Sequence, residues 1–332
     1  MHLSFYLQEK KFPFNLGKRS TGCARFMLLK QYLGIGKNNK KKLGLHLCSK
    51  GISLCVVDTQ AMPYKLIICE FIEDRDLFKQ KALLLNMITR LKLKGMPCYA
   101  VMKSDHYQLF RTDTPNVPAA ELKEALFWQM QHFTTSSKQD CVFEAFYMPN
   151  LKANSKEITS AYIAIAQKKE VESLVSIISK SNLQLKNIDI EELSLRNIIR
   201  VLPDANEGIG LFFVCENHIK IILFKEGFVV LYRKIEISEG MLLSIKTDLF
   251  LLELQRSLDY FESQMMGSLI KKVYYYSSVE SDDIFESLSG KVDVYFEFLD
   301  VHSFISCDHS FNEKALKNNF ISIGAALRGA NI

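Results

Sequence analysis

The spacing of apolar positions from residue 43 onward predicts a strand-rich opening followed by a helix. Three short apolar runs, separated by turn residues, predict strands at Leu43–Cys48, Ile52–Asp58 and Lys65–Phe71. Ser49-Lys50-Gly51 between the first two runs is typical of a tight hairpin. A repeat of three and four residues then predicts a helix over Leu77–Leu93, before a strand at Cys98–Met102.

The middle of the chain alternates shorter elements. Apolar runs predict strands at Tyr107–Arg111, Val142–Met148, Ile158–Ala166 and Leu185–Ile190. Helices are predicted at Pro118–His132, Lys168–Ser181 and Glu191–Arg200, the first of them with proline in its opening turn. Pro203–Gly208 is the clearest break in composition and predicts a domain boundary.

The second half restarts the opening pattern. Three runs predict strands at Gly210–Cys215, Ile219–Lys225 and Phe228–Ile237. A long helix follows, in which an apolar stripe runs through Leu251, Leu254, Leu258, Phe261 and Met265. The remaining predicted elements are a strand at Lys271–Tyr276, a helix around Asp282–Ser289, a strand at Val292–Phe298 and a helix at Ala315–Arg328. This weak internal repeat of strands and helices predicts an α/β fold.

Composition excludes several classes of function. The 332 residues contain no run of eighteen apolar positions, so no transmembrane helix is expected. The eight cysteines are scattered without a Cys-x-x-Cys pair, which favours reduced, buried thiols in a cytoplasmic protein. The seven histidines are equally dispersed, and we predict neither a metal site nor a catalytic set of residues.

Positive charge is concentrated at the start of the chain. Residues 1–42 carry ten Lys/Arg and one acid, or +9, so the other 290 residues sum to −4 within the total of +5. Aromatic residues among these lysines suit an anionic membrane surface or nucleic acid. The alternatives are a disordered arm or an over-extended reading frame, for which Met27 would be a natural start. The acidic remainder argues against a nucleic-acid partner.

Four motifs in order resemble one protein family. Leu252-Glu-Leu-Gln-Arg-Ser-Leu-Asp-Tyr-Phe261 and Ile321-Ser-Ile-Gly-Ala-Ala-Leu-Arg-Gly329 are similar to the long helix and the C-terminus of actin-like pilus assembly proteins. Val117–Gln129 resembles a Pro-x-x-Glu-Leu-x-x-Ala-x-x-Trp helix, and Ile188–Asn197 an Ile-Asp-Ile-x-Glu-x-x-Leu-Arg-Asn segment. Together, over residues 43–329, they resemble the PilM type IV pilus assembly family, and more closely its MSHA biogenesis branch, MshI.

The resemblance implies the actin-like ATPase fold, as in FtsA: two duplicated α/β lobes around a cleft, with a small inserted subdomain in the first lobe. The expected boundaries are 1–42 for the basic leader, 43–202 for the first lobe, about 103–166 for its inserted subdomain, 203–312 for the second lobe and 313–332 for a C-terminal helix returning to the first lobe. We expect Trp128 to anchor the subdomain to the lobe.

In that family a glycine-containing hairpin of each lobe holds nucleotide phosphates, and the first carries an aspartate that organises magnesium. The matching residues here are Gly44–Ser49 and Phe213–Cys215, so His46 and Cys48 replace the first acid and glycine, and the second hairpin has neither. Ser277-Ser278 stands where a Gly-Gly pair approaches adenosine. We interpret His46 as a satisfied core histidine, and Cys48 and Cys215 as packing residues.

The residual nucleotide contacts implied by the resemblance are Ser49, Lys50, Gly51, Glu253 and Arg256. Glu253 and Arg256 also have the i, i+3 spacing of a structural ion pair, which is the alternative interpretation. Losing about three charge-assisted contacts, at about 1.5–3 kcal/mol each, would weaken binding by roughly 10⁴. We therefore expect a degenerate cleft, a pseudo-ATPase without a bound cofactor.

The function implied is a non-enzymatic cytoplasmic scaffold of type IV pilus biogenesis, peripheral to the inner membrane. Its expected partner is the cytoplasmic tail of a PilN-like (MshJ-type) membrane protein, bound near residues 103–150. Contact with the pilus assembly ATPase or the platform protein is a further expectation. The alternative is an active ATPase that binds ATP and Mg²⁺ with divergent loops, and a third hypothesis is nucleic-acid binding through the leader.

Overall fold

The computed structural model describes residues 41–115, 117–118, 120–134, 140–148, 158–238, 243–265, 268–278, 285, 288, 290–307 and 311–330. The predictions for residues 1–40 and for most of the helix at 282–289 lie outside these ranges. No helix within the described residues is long and apolar enough to span a membrane.

The described strands, in chain order, are β1 (Lys41–Cys48), β2 (Gly51–Asp58), β3 (Lys65–Glu73), β4 (Pro97–Val101), β5 (Tyr107–Pro115), β6 (Cys141–Tyr147), β7 (Ile158–Gln167), β8 (Gln184–Asp189), β9 (Gly208–Val214), β10 (His218–Lys225), β11 (Phe228–Glu236), β12 (Lys272–Ser277) and β13 (Tyr295–Phe298). The described helices are α1 (Leu77–Arg90), α2 (Leu122–Leu126), α3 (Lys168–Lys180), α4 (Glu191–Ile199), α5 (Leu243–Gln264), α6 (Glu313–Asn318) and α7 (Phe320–Ala326). Most predicted strands are confirmed, with ends shifted by a few residues.

The first sheet has the strand order β3-β2-β1-β4-β8, antiparallel across β1 to β3 and parallel from β1 to β8. Alternate residues of β1 face opposite sides, since side chains along a strand alternate. Leu43, Leu45 and Leu47 pack in one apolar core with α1 and α3. Gly44, on the other side, lies against the main chain of α7. The sheet is thus covered by helices on both faces.

The second sheet repeats this topology in the order β11-β10-β9-β12-β13. Its three opening strands are antiparallel and β12 and β13 are parallel, as in the first sheet. Helix α5 packs on β10 and β11, with Leu254 and Phe261 of its stripe fully buried. The predicted core-facing stripe is therefore confirmed.

A third sheet, β5-β7-β6, is inserted between β4 and β8 of the first. It has a small core of its own, where α2 packs Leu122 and Leu126 against Phe143 and Ile163. The helix predicted over Pro118–His132 is shorter: α2 covers only five residues and a 3₁₀ turn follows at Gln129–His132. The expectation that Trp128 anchors this subdomain is wrong, because the side chain is 72% exposed and stacks edge-on against Phe127 of the same subdomain.

Two segments that follow the second sheet in the chain pack against the first sheet. Ser306 forms main-chain hydrogen bonds with the edge strand β3, to the carbonyl of Tyr64 (2.7 Å) and from the N–H of Leu66 (2.8 Å). The predicted C-terminal helix is divided at Asn319, a buried residue whose Oδ1 accepts a hydrogen bond from Ser53 of β2 at 2.9 Å. Helix α7 then packs across β1, β2, β4 and α4.

Candidate functional site

A cavity of about 290 Å³ lies between the first and second sheets, and we call it the cleft. Its walls come from the β1–β2 hairpin, the β9–β10 hairpin, the start of α4 and the junction of α6 and α7. The two hairpins are equivalent elements of the repeated sheets. The duplication therefore brings corresponding loops to face each other.

A buried cluster of charged groups crosses the base of the cleft. Lys220 of β10 is 0% exposed, and its Nζ lies 2.7 Å from Oε2 of Glu191 and 2.6 Å from Oε1 of Glu192. The two glutamates begin α4, where the helix dipole favours negative charge. Tyr107 of β5 donates its hydroxyl to Oε2 of Glu192 at 2.6 Å. This cluster, Lys220–Glu191–Glu192–Tyr107, joins all three sheets, and we call it the interlobe cluster.

The members of the interlobe cluster fix each other's protonation. Burial alone would lower the pKa of Lys220, but the two carboxylates raise it well above its ordinary value. Burial alone would raise the pKa of Glu191, yet Lys220 and His46 together hold it well below its ordinary value. Burial and Glu192 raise the pKa of Tyr107, so its hydroxyl remains a donor. At neutral pH the cluster therefore holds an ammonium beside the ionised carboxylate of Glu191.

His46 lies beside this cluster. It is buried, lines the cleft and places Nε2 3.3 Å from Oε1 of Glu191. The structure therefore confirms that His46 is buried, as its interpretation as a core histidine requires. Its partner is the carboxylate of Glu191, from α4 of the same lobe, and the sequence did not indicate this pairing.

Aromatic rings close the other end of the cleft. Phe213 of β9 stacks on Tyr276 of β12, with centroids 5.7 Å apart and planes 6° apart, and lies 5.9 Å from Phe320 of α7. Tyr276 and Phe320 are in turn stacked at 3.7 Å. Phe213 stands where the family resemblance expects an aspartate. An apolar stack therefore occupies the position at which the resemblance expects the acid of the second hairpin.

Of the three residues of the first hairpin that were predicted to contact nucleotide, two line the cleft and one does not. Ser49 and Lys50 line the cleft, and Nζ of Lys50 lies 4.0 Å from Glu216 across it. Gly51 faces β3 instead: a Cβ there would overlap the carbonyl oxygen of Ile72 and lie 2.9 Å from its carbon. Packing of β2 on β3 therefore accounts for this glycine without a ligand.

Glu253 and Arg256 lie on α5, outside the lining of the cleft. Oε1 of Glu253 is 2.8 Å from Nη1 of Arg256, and Oε2 is 2.8 Å from Nη1 of Arg233. The structural ion pair that we gave as the alternative is thus confirmed, with Arg233 as an added partner. A role of either residue in nucleotide contact stays a prediction.

The cleft thiols are poor nucleophiles, as their interpretation as packing residues requires. Burial raises the pKa of Cys215 to about 12 and that of Cys48 above its ordinary value. Of the described residues, no group of three His, Cys, Asp or Glu side chains is arranged to hold a metal ion.

Sequence reasoning missed Lys220, Glu192 and Tyr107. One signal was available: Lys220 interrupts the apolar run from Ile219 to Phe224 of a central strand. A lysine at such a position is almost never buried without a charged partner. Its partners, Glu191 and Glu192, could not be identified from the sequence, because they lie in the other half of the repeat.

The environment of His218, which begins β10 after the β9–β10 turn, predicts that the folded chain loses stability as the pH falls. Burial and the charges of Lys220 and Lys234 lower its pKa to about 4. The unfolded chain binds this proton near pH 6.5 and the folded chain does not, so the contribution is complete above pH 6.5 and is lost as pH falls toward 4. In this window we expect His218→Gln to reduce the slope of the unfolding free energy against pH. The largest possible reduction corresponds to the uptake of one proton fewer on unfolding.

Urea denaturation at several pH values between 4 and 7 measures this slope. His132→Gln is the matched control, since His132 is exposed on the inserted subdomain. An unchanged slope in His218→Gln would exclude this histidine as the source.

Comparisons with known proteins identify the fold. No family model matches the sequence, and no curated protein matches it. Among solved structures, a PilM-PilN type IV pilus biogenesis complex matches with a TM-score of 0.67 and 15% identity, over 88% of this chain and 99% of that chain. The cytoplasmic domain of EpsL, an inner-membrane component of the type II secretion system of Vibrio cholerae, matches with a TM-score of 0.47 and 8% identity, over 85% and 94% of the two chains. A Bacteroides thetaiotaomicron protein with an actin-like ATPase fold matches with a TM-score of 0.45 and 12% identity, over 85% and 95%. The chain therefore has the actin-like ATPase fold that its motifs predicted, with two duplicated lobes around a cleft and a subdomain inserted in the first.

Proposed function

We propose that this chain is a non-enzymatic scaffold of type IV pilus biogenesis, of the MSHA kind, which binds the cytoplasmic tail of a PilN-like, MshJ-type membrane protein. Its place would be the cytoplasmic face of the inner membrane. The observation that carries the proposal is the interlobe cluster, in which Lys220 of one lobe is buried between Glu191 and Glu192 of the other. The chain's own charges therefore join the two lobes at the base of the cleft.

The residues of the cleft do not fit a magnesium nucleotide. Magnesium requires oxygen ligands that are free to coordinate it. Glu191 and Glu192 instead hold Lys220, and Glu192 also accepts from Tyr107. Glu191 lines the cleft, whereas Lys220 and Glu192 are 0% exposed, so a phosphate placed here would meet a carboxylate and could not reach the buried ammonium. Phe213 supplies a ring where an acid is expected.

Three of the four lysines that line the cleft are also paired, Lys317 being the fourth. Lys103 lies 2.8 Å from Asp105, and Lys234 lies 2.8 Å from Glu236. Lys50 faces Glu216. Each of these three positive charges has an acid from this chain beside it, which reduces its attraction for an anionic ligand. The distribution of charge supports a cleft used for structure.

The proposal of a PilN-like partner is supported by the likeness to the PilM-PilN complex, which matches 88% of this chain with 15% sequence identity. The region expected to take the tail, residues 103–150, holds β5, α2 and β6 of the inserted subdomain. Its surface presents Phe127 and Trp128, which are 39% and 72% exposed. Exposed aromatic side chains are frequent anchors in protein interfaces. Contact with an assembly ATPase or platform protein would require further surfaces.

Thermal unfolding of the full chain with two ligands tests the proposal. A synthetic peptide of the cytoplasmic tail of the PilN-like protein from the same organism is expected to raise Tm, because a ligand at 100 times its Kd stabilises by about 2.7 kcal/mol. Millimolar Mg-ATP is expected to leave Tm unchanged. The controls are a scrambled peptide and Mg²⁺ alone.

The two arms separate the alternatives. A rise of several degrees with Mg-ATP would favour an active ATPase with divergent loops and would contradict the non-enzymatic assignment. Equal effects of the tail and the scrambled peptide would remove the support for a PilN-like partner.

A further inference from the structure

Two cysteines of the first sheet lie directly opposite each other, outside the lining of the cleft. Cys55 of β2 and Cys69 of β3 are partners in the antiparallel register of these strands. Both are free thiols, and their side chains belong to the same apolar core. Cys55 is 0% exposed and Cys69 is 8% exposed. The pairing of the strands therefore brings together two buried thiols that are fourteen positions apart in the sequence.

The hydrogen bonds between β2 and β3 show which kind of pair the two cysteines form. The N–H of Asp74 donates to the carbonyl of Lys50 at 3.0 Å, so these two residues are a hydrogen-bonded pair. Hydrogen-bonded and non-hydrogen-bonded pairs alternate along an antiparallel ladder. The register continues without a shift over the five steps from Lys50 to Cys55. Because five is an odd number, Cys55 and Cys69 are a non-hydrogen-bonded pair.

This geometry suits a disulfide. Directly opposite residues of a non-hydrogen-bonded pair have Cα atoms about 4.5 Å apart, with both side chains on the same face of the sheet. A disulfide usually joins residues whose Cα atoms are roughly 4.4–6.8 Å apart. The two sulfur atoms can therefore be joined by rotation of the side chains, without separation of the strands.

The two thiols lie beneath the C-terminal helices. Ser53 precedes Cys55 by two residues, so its side chain is on the same face of β2. The Ser53 hydroxyl donates to Oδ1 of Asn319 at 2.9 Å, and its oxygen lies 2.8 Å from Oγ of Ser322 in α7. Helix α7 also packs on β2, and α6 packs on β3. The two helices therefore cover the cysteines and exclude other molecules from them.

Burial also sets the reactivity of the pair. It raises the pKa of Cys55 to about 12 and holds the pKa of Cys69 well above its ordinary value. Such thiols stay protonated and react slowly, because the thiolate is the nucleophile. Strand β3 is the edge strand of its sheet, and Cys69 is the more exposed of the two thiols. Cys69 is therefore the thiol that reacts first when the helices move away.

We propose that Cys55 and Cys69 are a redox-active pair, which a small disulfide oxidises to an intrachain disulfide when α6 and α7 move away from β2 and β3. The Cys69 thiolate attacks one sulfur of glutathione disulfide and releases one molecule of glutathione. The Cys55 thiolate then attacks the sulfur of Cys69 and releases the second. The pair loses two electrons and two protons, and glutathione disulfide is reduced to two thiols. The inference does not depend on the proposed pilus function, because it requires neither a protein partner nor a nucleotide.

Oxidation of the reduced full chain with glutathione disulfide tests the proposal. The reaction is followed until the disulfide content is constant, the remaining thiols are alkylated, and the chain is digested with trypsin. Trypsin cleaves after lysine and arginine, so Cys55 falls in the peptide 51–65 and Cys69 in the peptide 66–75. By mass spectrometry we expect these two peptides as one linked product, lighter than their sum by two hydrogen atoms and separated again by reduction.

Three variants extend the test. The linked product should be absent from Cys55→Ala and retained in the matched control Cys98→Ala, because Cys98 is also 0% exposed but lies in the core on the other face of the sheet. Gly44→Ala places a methyl group against the main chain of Ser322 and displaces α7. That variant should form the linked product about tenfold faster or more, since the reaction passes through the open state.

Absence of the linked product from the parent chain would overturn the proposal. So would a product in which Cys69 is joined to Cys307, which lies in the tryptic peptide 292–314. An unchanged rate in Gly44→Ala would overturn the part assigned to the C-terminal helices, because access to the thiols would not then depend on α7.

Discussion

Replacing Lys220 by methionine is expected to lower the free energy of unfolding by about 3–5 kcal/mol, the usual cost of removing one member of a buried ion pair. The substitution keeps the apolar length of the side chain and removes only the ammonium. Glu191 and Glu192 would then be buried with no cation between them, each having lost a contact of 2.7 or 2.6 Å. Because the cluster joins the lobes, the loss should also loosen the cleft.

Guanidinium denaturation at pH 7 measures this effect. Lys225→Met is the matched control, since Lys225 ends the same strand and is only partly buried. Replacing all three charges at once, as Lys220→Met with Glu191→Gln and Glu192→Gln, should recover most of the loss, because the uncompensated carboxylates are removed. A Lys220→Met variant within about 1 kcal/mol of the parent chain would show that the cluster contributes little to stability.

Gly44→Ala is expected to destabilise the chain by about 3 kcal/mol, at the upper end of the cost of overpacking a core. A Cβ on Gly44 would overlap the carbonyl oxygen of Ser322 and lie 2.8 Å from its carbonyl carbon. These are main-chain atoms of α7, so no side-chain rotation relieves the overlap. Helix α7 must move away from β1, and the hydrogen bond from Ser53 to Asn319 would be strained with it.

The control for this variant is Gly208→Ala. A Cβ at Gly208 would have side-chain atoms of Ile270 and Phe261 at 3.2 Å, which can adjust, and the carbonyl oxygen of Leu269 at 3.3 Å, a much wider separation than the main-chain overlap at Gly44. We expect that variant to cost less than about 1 kcal/mol. Hydrogen exchange of the amides in α7 locates the effect, and protection equal to that of the parent chain would contradict the proposed displacement of the helix.

Much of the fold was predictable because its strands are short, apolar and separated by turn residues. The two hairpins and the stripe of α5 followed from local periodicity alone. The errors arose where tertiary contacts override local pattern. Asn319 divides the C-terminal helix because its side chain bonds to Ser53, 266 positions away. Trp128 was expected to anchor the subdomain to the lobe, yet its side chain is exposed.

The candidate site was predictable only in part, for a similar reason. The resemblance placed Ser49 and Lys50 at the cleft, and the hairpin that carries them could be predicted because it is a local structure. The interlobe cluster depends on Lys220 of β10 meeting α4, across two lobes that a single sequence does not position. The sequence indicated only a lysine inside an apolar strand. Its pairing with the two glutamates is visible only in the three-dimensional structure.

The packing of α7 on β1 also bears on how the chain is made. Lys42 donates to the carbonyl of Arg328, 286 positions later, and Ser53 donates to Asn319, so one face of the first sheet is completed by residues that are translated long after it. Until those residues have emerged from the ribosome that face has no cover, and the sheet presents apolar surface to water or to chaperones. The first lobe is therefore expected to complete its fold only after the second lobe has been synthesised.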